Sequence, residues 1–177
     1  EHYVYKPTSG ERELWDFPSG TLAARERAMY VLNTLLGWSC VPETKLIDGP
    51  YGLGSAQRWI DGKVLAVDVF QPSEVPDNWR SIVEGVGQDG APLALAHADD
   101  PGIQRLALLD WLANNADRKG GHILTTESGE HFGIDHGVTF HQEPKLRTVL
   151  WGWVGQPVPP HFIAAVEGAR CHEALGH

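Results

Sequence analysis

Asn114-Asn115-Ala116-Asp117-Arg118-Lys119-Gly120-Gly121-His122, followed after a short interval by Ile134-Asp135-His136-Gly137, is the stretch on which the reading of this chain turns. Just upstream, Ile103, Leu106, Ala107, Leu109, Trp111 and Leu112 make most sides of one segment apolar. That predicts a buried helix from Ile103 to about Asn114, entered through an Asp100 N-cap and a proline at its first position. Downstream, Ile123–Thr126 and His131–Ile134 read as two short strands joined by a Ser128-Gly129 turn. Such a hairpin sets His122 and Asp135 at the borders of paired strands, with Asp117 five positions before His122. Three groups able to hold a divalent cation or orient a hydroxyl can thus converge, the kind of set that phosphoryl transfer needs. The two aspartates also suit ordinary turn positions making Asx-type hydrogen bonds, and on composition alone that reading is the stronger.

Outward from this centre, Tyr3-Val4-Tyr5-Lys6 is β-favouring, with Pro7 ending the ladder. Residues 8–20 are turn-rich, with Trp15 and Phe17 as anchors. A helix is expected from about Leu22 to Leu36, with Thr21 as N-cap and Gly37 as left-handed C-cap. Its apolar stripe of Met29, Leu32 and Leu36 takes in Arg25 but leaves Glu26 well to one side. Thr44–Asp48 and Ser55–Ile60 read as strands around a Gly-Pro-Tyr-Gly-Leu-Gly loop. Residues 61–100, rich in Pro, Gly and Asp, read as a linker with short helical pieces. The remainder, with Trp151 and Trp153, is expected to pack as helices.

Composition narrows the class. The 177 residues carry 14 Lys and Arg against 23 Asp and Glu, a net charge of −9, which argues against nonspecific nucleic-acid or anionic-membrane binding. Only Cys40 and Cys171 are present, too few for a disulfide scaffold or a cysteine zinc site, and a reducing cytoplasm fits best. No stretch approaches the roughly 18 apolar residues of a membrane span. The first residue is Glu1 and Tyr3-Val4-Tyr5 already reads as mid-strand, so residues upstream are expected.

The phrases Asn115-Ala116-Asp117-Arg118, Gly120-Gly121-His122 and Ile134-Asp135-His136-Gly137 resemble the catalytic and metal-binding loops of the phosphatidylinositol 3-/4-kinase-like superfamily, which includes the HipA-type protein kinases. More closely, the chain is similar to an actinobacterial phosphatidylinositol-kinase-like family. Tyr5-Lys6-Pro7, Gly10-Glu11-Arg12, Leu14-Trp15-Asp16-Phe17-Pro18, Asp117–His122 and Leu146–Trp153 carry that likeness, which covers nearly the whole chain. It implies an α+β, two-lobed protein-kinase-like fold. Residues 1–60 would be a partial N-lobe, its first strands and Gly-rich loop lying before Glu1, and 61–177 a helical C-lobe. It further implies ATP-dependent phosphoryl transfer to a hydroxyl acceptor, whether lipid, protein or small molecule, with Mg²⁺ or Mn²⁺.

By the same resemblance, Lys6 holds the phosphates, Glu26 pairs with Lys6, and Gln57, Trp59 and Ile60 belong to the hinge that reads adenine. Asp117 is the catalytic aspartate, and His122 with Asp135 holds the metal. Each has a plainer alternative: Lys6 as an exposed strand-end lysine, Glu26 as a solvated helix residue, Gln57–Ile60 as a core strand. His122 departs from the asparagine that related kinases carry, and an imidazole suits Mn²⁺ or Zn²⁺ better than Mg²⁺. His131, His136 and His141 lie close in sequence, though His131 and His141 also suit plain surface positions. That departure, and the absent Gly-rich loop, leave a pseudokinase, binding nucleotide or metal without turnover, as the alternative. A histidine metalloprotein with no nucleotide role is the third reading.

Overall fold

Tyr3–Pro7 forms the expected first strand, β1, antiparallel to β3 (Gly52–Arg58), which is flanked on its other side by β2 (Thr44–Gly49). The structure, a computed structural model, describes residues 1–174; the last three positions of the expected second domain, and the side chain of Cys171, lie outside the described residues. In the register Lys6 stands opposite Ser55, and both Val4 and Thr44 stand opposite Gln57. Alternation along a strand therefore puts Lys6, Ser55 and Gln57 on one face of the sheet.

Helix α1 (Leu22–Leu35) follows a turn-rich segment, as its sequence requires. Its N-terminus is a correction, because Thr21 has helical backbone angles and makes no side-chain cap. Thr21 Oγ1 instead donates to the Pro18 carbonyl, and the Ala23 N–H is satisfied by Glu11 Oε1 from twelve residues upstream. At the other end Gly37 is left-handed, at φ 68°, as expected. The Trp38 N–H reaches back to the Asn33 carbonyl and the Gly37 N–H to that of Thr34, a Schellman closure.

Residues 61–100 are not a linker. They hold β4 (Val67–Phe70), β5 (Trp79–Val86) and β6 (Pro92–Ala98), an antiparallel sheet in the order β4-β6-β5. The turn joining β5 to β6 is closed by the Gly87 N–H on the Ala91 carbonyl, with Gly90 left-handed at φ 81°. Ala94 and Ala96 are buried on β6, where they form the inner face of the strand. Intrinsic propensity has yielded to tertiary context there.

Helix α2 (Pro101–Leu112) begins as expected, with Asp100 Oδ1 accepting the Gly102 N–H at 2.7 Å. The hairpin of β7 (Ile123–Thr125) and β8 (His131–Gly133) follows, and α3 (Pro160–Ala174) closes the described chain. Residues 137–159 contain no helix, contrary to expectation, and run largely as irregular chain. The core cluster takes Met29, Leu36, Cys40 and Val41 from the first 60 residues and packs them with Ile103, Leu106, Leu109, Ile123 and Leu150. The result is an α+β protein with, among the described residues, three small antiparallel sheets and three α-helices.

Candidate functional site

Lys6 is where distant parts of the chain meet. Its Nζ lies 2.8 Å from Glu26 Oε1 and 2.9 Å from Asp135 Oδ1. The sheet presents Lys6 from one side, α1 supplies Glu26, and the end of the β7–β8 hairpin supplies Asp135. Glu26, whose side chain is 4% exposed, is no solvated residue. The apolar stripe of α1 misses it because that stripe continues as a polar buried edge: Arg25 NH1 donates to the Thr139 and Phe140 carbonyls while Glu26 turns to Lys6. Burial works against the charge on Lys6, but Glu26 and Asp135 outweigh it and raise its pKa. Burial likewise opposes ionised Asp135, and Lys6 overrides it, holding that carboxyl below its ordinary range.

Asp135 also sits in the left-handed region, at φ 60°, where a residue with a Cβ is disfavoured. His122 Nε2 is 3.4 Å from Asp135 Oδ2. Burial lowers the pKa of His122, which keeps the imidazole neutral with a lone pair to offer. Around Lys6, Glu26 and Asp135 a cavity of about 370 Å³ takes in Tyr5, Glu11, Ser55 and Gly137. Glu26 Oε2 and Glu11 Oε2 are buried there without a hydrogen-bond partner among the described residues.

Behind this open cluster is a closed one that the sequence did not disclose. Asp110 of α2 and Arg118 are both fully buried. Asp110 accepts from Arg118 Nε and NH2, from Asn115 Nδ2 at 2.8 Å and from Thr148 Oγ1 at 3.2 Å. Arg118 NH1 donates to the His122 and Ile134 carbonyls, and NH2 lies 2.6 Å from His136 Nε2. His136 is fully buried, and desolvation together with Arg118 pushes its pKa well down, so its Nε2 is the acceptor of that bond. One guanidinium thus fixes the backbone on which His122 and Asp135 are carried. Residues 147–149 run alongside, with the Arg118 N–H on the Arg147 carbonyl and the Val149 N–H on that of Arg118. The Leu146–Trp153 phrase is therefore a brace for the 115–118 loop.

Asp117 lies on that braced loop, its N–H on Asn115 Oδ1 and its Oδ2 2.7 Å from Lys119 Nζ. The sequence analysis gave Lys119 no role; its place two positions after Asp117 lets the two side chains pair. Of the other expected residues, Gln57 is buried and donates to Thr44 Oγ1. Trp59 and Ile60 line a separate cavity of about 560 Å³ with Tyr30, Trp38, Arg58 and Phe132. None of these three side chains lines the Lys6 cavity, and neither do Asp117 and His122; of the expected site residues, Lys6, Glu26 and Asp135 line it. The neighbouring histidines are engaged elsewhere: His131 with Asp100 and Thr125, His141 with the Asp16 carbonyl. Among the described residues no group of three or more His, Cys, Asp or Glu side chains is arranged to hold a metal ion.

Fold and site together define an α+β protein in which a strand lysine, a helix glutamate and a hairpin aspartate share one cleft. No family model matches the chain. It is 46% identical over 186 residues to "Protein Rv2133c" of Mycobacterium tuberculosis (strain ATCC 25618 / H37Rv), an alignment covering 99% of this chain and 66% of that protein. The chain therefore spans just under two thirds of the length of the curated relative it matches. No helix among the described residues is long and apolar enough to cross a membrane.

Proposed function

We propose that the chain is the catalytic part of an ATP-dependent phosphotransferase with a two-lobed, kinase-like fold, acting on a hydroxyl acceptor. One observation carries the reading: Lys6 contacts both Glu26 and Asp135, residues 20 and 129 positions away, at 2.8 and 2.9 Å. A lysine so placed is oriented towards an open cavity while its charge is balanced, a suitable ground state for a group that must receive phosphate oxygens. In this reading Lys6 binds the phosphates of ATP, and Glu26 fixes the direction of its amine. Asp117 orients the acceptor hydroxyl and takes its proton as the acceptor oxygen bonds to the γ-phosphorus and ADP departs. Lys119 Nζ, 2.7 Å from Asp117 Oδ2, holds one oxygen of that carboxylate in place.

His122 and Asp135 fit a divalent cation as two neighbouring ligands. Ligands about 2.1 Å from one ion and roughly 90–110° apart stand about 3.0–3.4 Å from each other, and these two atoms are 3.4 Å apart. With only two protein ligands, phosphate oxygens and water would complete the shell, as is usual at nucleotide sites. When bound, the cation offsets charge on the phosphates. A module that binds nucleotide without turnover is the second reading, favoured by Lys119 already occupying one oxygen of Asp117.

ADP release from ATP, with and without candidate acceptors, separates the two. Asp117→Ala is expected to abolish transfer and leave nucleotide binding nearly intact, whereas Asp135→Ala loses the cation-dependent part of binding. Undiminished turnover in the Asp117 variant refutes the catalytic assignment. ATP binding with no ADP formed in the parent protein selects the second reading.

A further inference from the structure

The identity of the cation can be taken further, on the footing of the nucleotide-site reading above. We propose that this site is built for a borderline first-row transition ion, of the Mn²⁺ or Zn²⁺ class, in preference to Mg²⁺, with His122 Nε2 as a direct ligand. Four histidines lie in or next to the 115–141 loops, and the structure singles out one. His131 is taken up by Asp100 and Thr125, His136 by Arg118, and His141 by the Asp16 carbonyl. Only His122 points a ring nitrogen at Asp135, at 3.4 Å.

Nor is the main chain of His122 free to withdraw. Its N–H is held by the Lys119 carbonyl at 3.0 Å, and its own carbonyl accepts from the Ile134 N–H at 2.9 Å and from Arg118 NH1 at 3.3 Å. Those bonds close the Gly120–His122 turn onto the strand that ends at Asp135. An imidazole carried on that main chain, its Nε2 already 3.4 Å from Asp135 Oδ2, offers a nitrogen ligand to whatever ion binds there. Mg²⁺ takes oxygen ligands and gives up water reluctantly, whereas imidazole suits the later first-row ions, whose affinity rises along the series from Mn²⁺. A retained nitrogen ligand therefore costs Mg²⁺ more than it costs Mn²⁺.

Pulsed electron paramagnetic resonance of bound Mn²⁺ tests the assignment without relying on turnover. The protein is loaded with Mn²⁺ and a non-hydrolysable ATP analogue, and the ¹⁴N coupling of a directly bound histidine is sought. It is expected in the parent protein and absent from His122→Asn, whose thermal unfolding is compared with that of the parent to verify folding. Mg²⁺ should displace Mn²⁺ only at about tenfold or greater excess over what the free nucleotide complex requires, and this margin should vanish in His122→Asn. Nucleotide-dependent Mn²⁺ binding without ¹⁴N coupling overturns the inference and leaves the phosphotransferase reading standing. A His122-dependent ¹⁴N signal that is indifferent to the nucleotide supports His122 as ligand while removing the nucleotide site. Absence of Mn²⁺ binding under either condition overturns both.

Discussion

Two charged networks lie back to back around the 115–136 loops, and they are finished to different degrees. The Asp110–Arg118 network is entirely out of water, and every polar atom of that pair has a partner. The Lys6–Glu26–Asp135 network opens onto a cavity, with side chains of Lys6 and Asp135 40% and 54% exposed. It leaves Glu26 Oε2 unpartnered and the His122–Asp135 contact long. A buried ion pair strengthens a fold only when its geometry is complete, because desolvation otherwise exceeds the Coulombic gain. The inner network meets that condition and acts as scaffold. The outer one does not, and its loose ends are what a ligand could complete.

The contrast can be broken most directly at Asp110. Asp110→Ala leaves Arg118 buried and uncompensated, and a loss of about 3–5 kcal/mol in urea unfolding is expected. A loss below about 1 kcal/mol would mean that water reaches the guanidinium and that the inner network is no scaffold. Lys6→Met removes the cation that pairs with buried Glu26, but the site is open on one side, so the expected loss is smaller, about 2 kcal/mol. The same variant should raise the Asp135 carboxyl pKa towards its ordinary range, because Lys6 is what depresses it; carboxyl carbon NMR reads this directly.

A weaker effect comes from pH. Burial lowers the pKa of His97, His131 and His136 in the folded state, so the unfolded chain binds protons more readily. Their contribution is intact above the unfolded value of about 6.5 and is lost as pH falls towards the folded values. The unfolding free energy should accordingly drop on the order of 1 kcal/mol between pH 7.5 and 5.5. A flat profile over that interval would show these imidazoles to be solvated. Least affected should be Lys119→Ala, which removes an exposed pair with Asp117. Its unfolding midpoint should not move, and under the proposed phosphotransferase reading only the rate of ADP release should fall; a shifted midpoint would assign Lys119 to the scaffold instead.

Much of the local structure was legible. Asp100-Pro101 announces α2, Gly37 ends α1, and the Ser128-Gly129 turn pairs β7 with β8, since each needs only near neighbours in sequence. Thr21 misled because a cap can come from elsewhere, here Glu11. Glu26 pairs with Lys6 as the resemblance implied; the plainer solvated reading arose because a helical wheel ranks side chains by apolarity and cannot register a carboxylate buried against a distant amine. The β4–β6–β5 sheet was missed because the many Pro, Gly and Asp of residues 61–100 read as a linker, although the Gly-Gln-Asp-Gly turn offered a signal.

Signals between near neighbours in the chain were enough to mark the start of α2, the end of α1 and the β7–β8 turn, and to place Lys6, Asp117, His122 and Asp135 at strand or loop borders. Only the tertiary structure decided that Lys6 spans Glu26 and Asp135, that Asp110 and Arg118 neutralise each other in the interior, and that Gln57, Trp59 and Ile60 lie off the Lys6 cavity. The reason is physical. Turn and cap preferences are paid within a few residues, whereas the cost of burying a charge depends on a counter-charge that may lie anywhere in the chain.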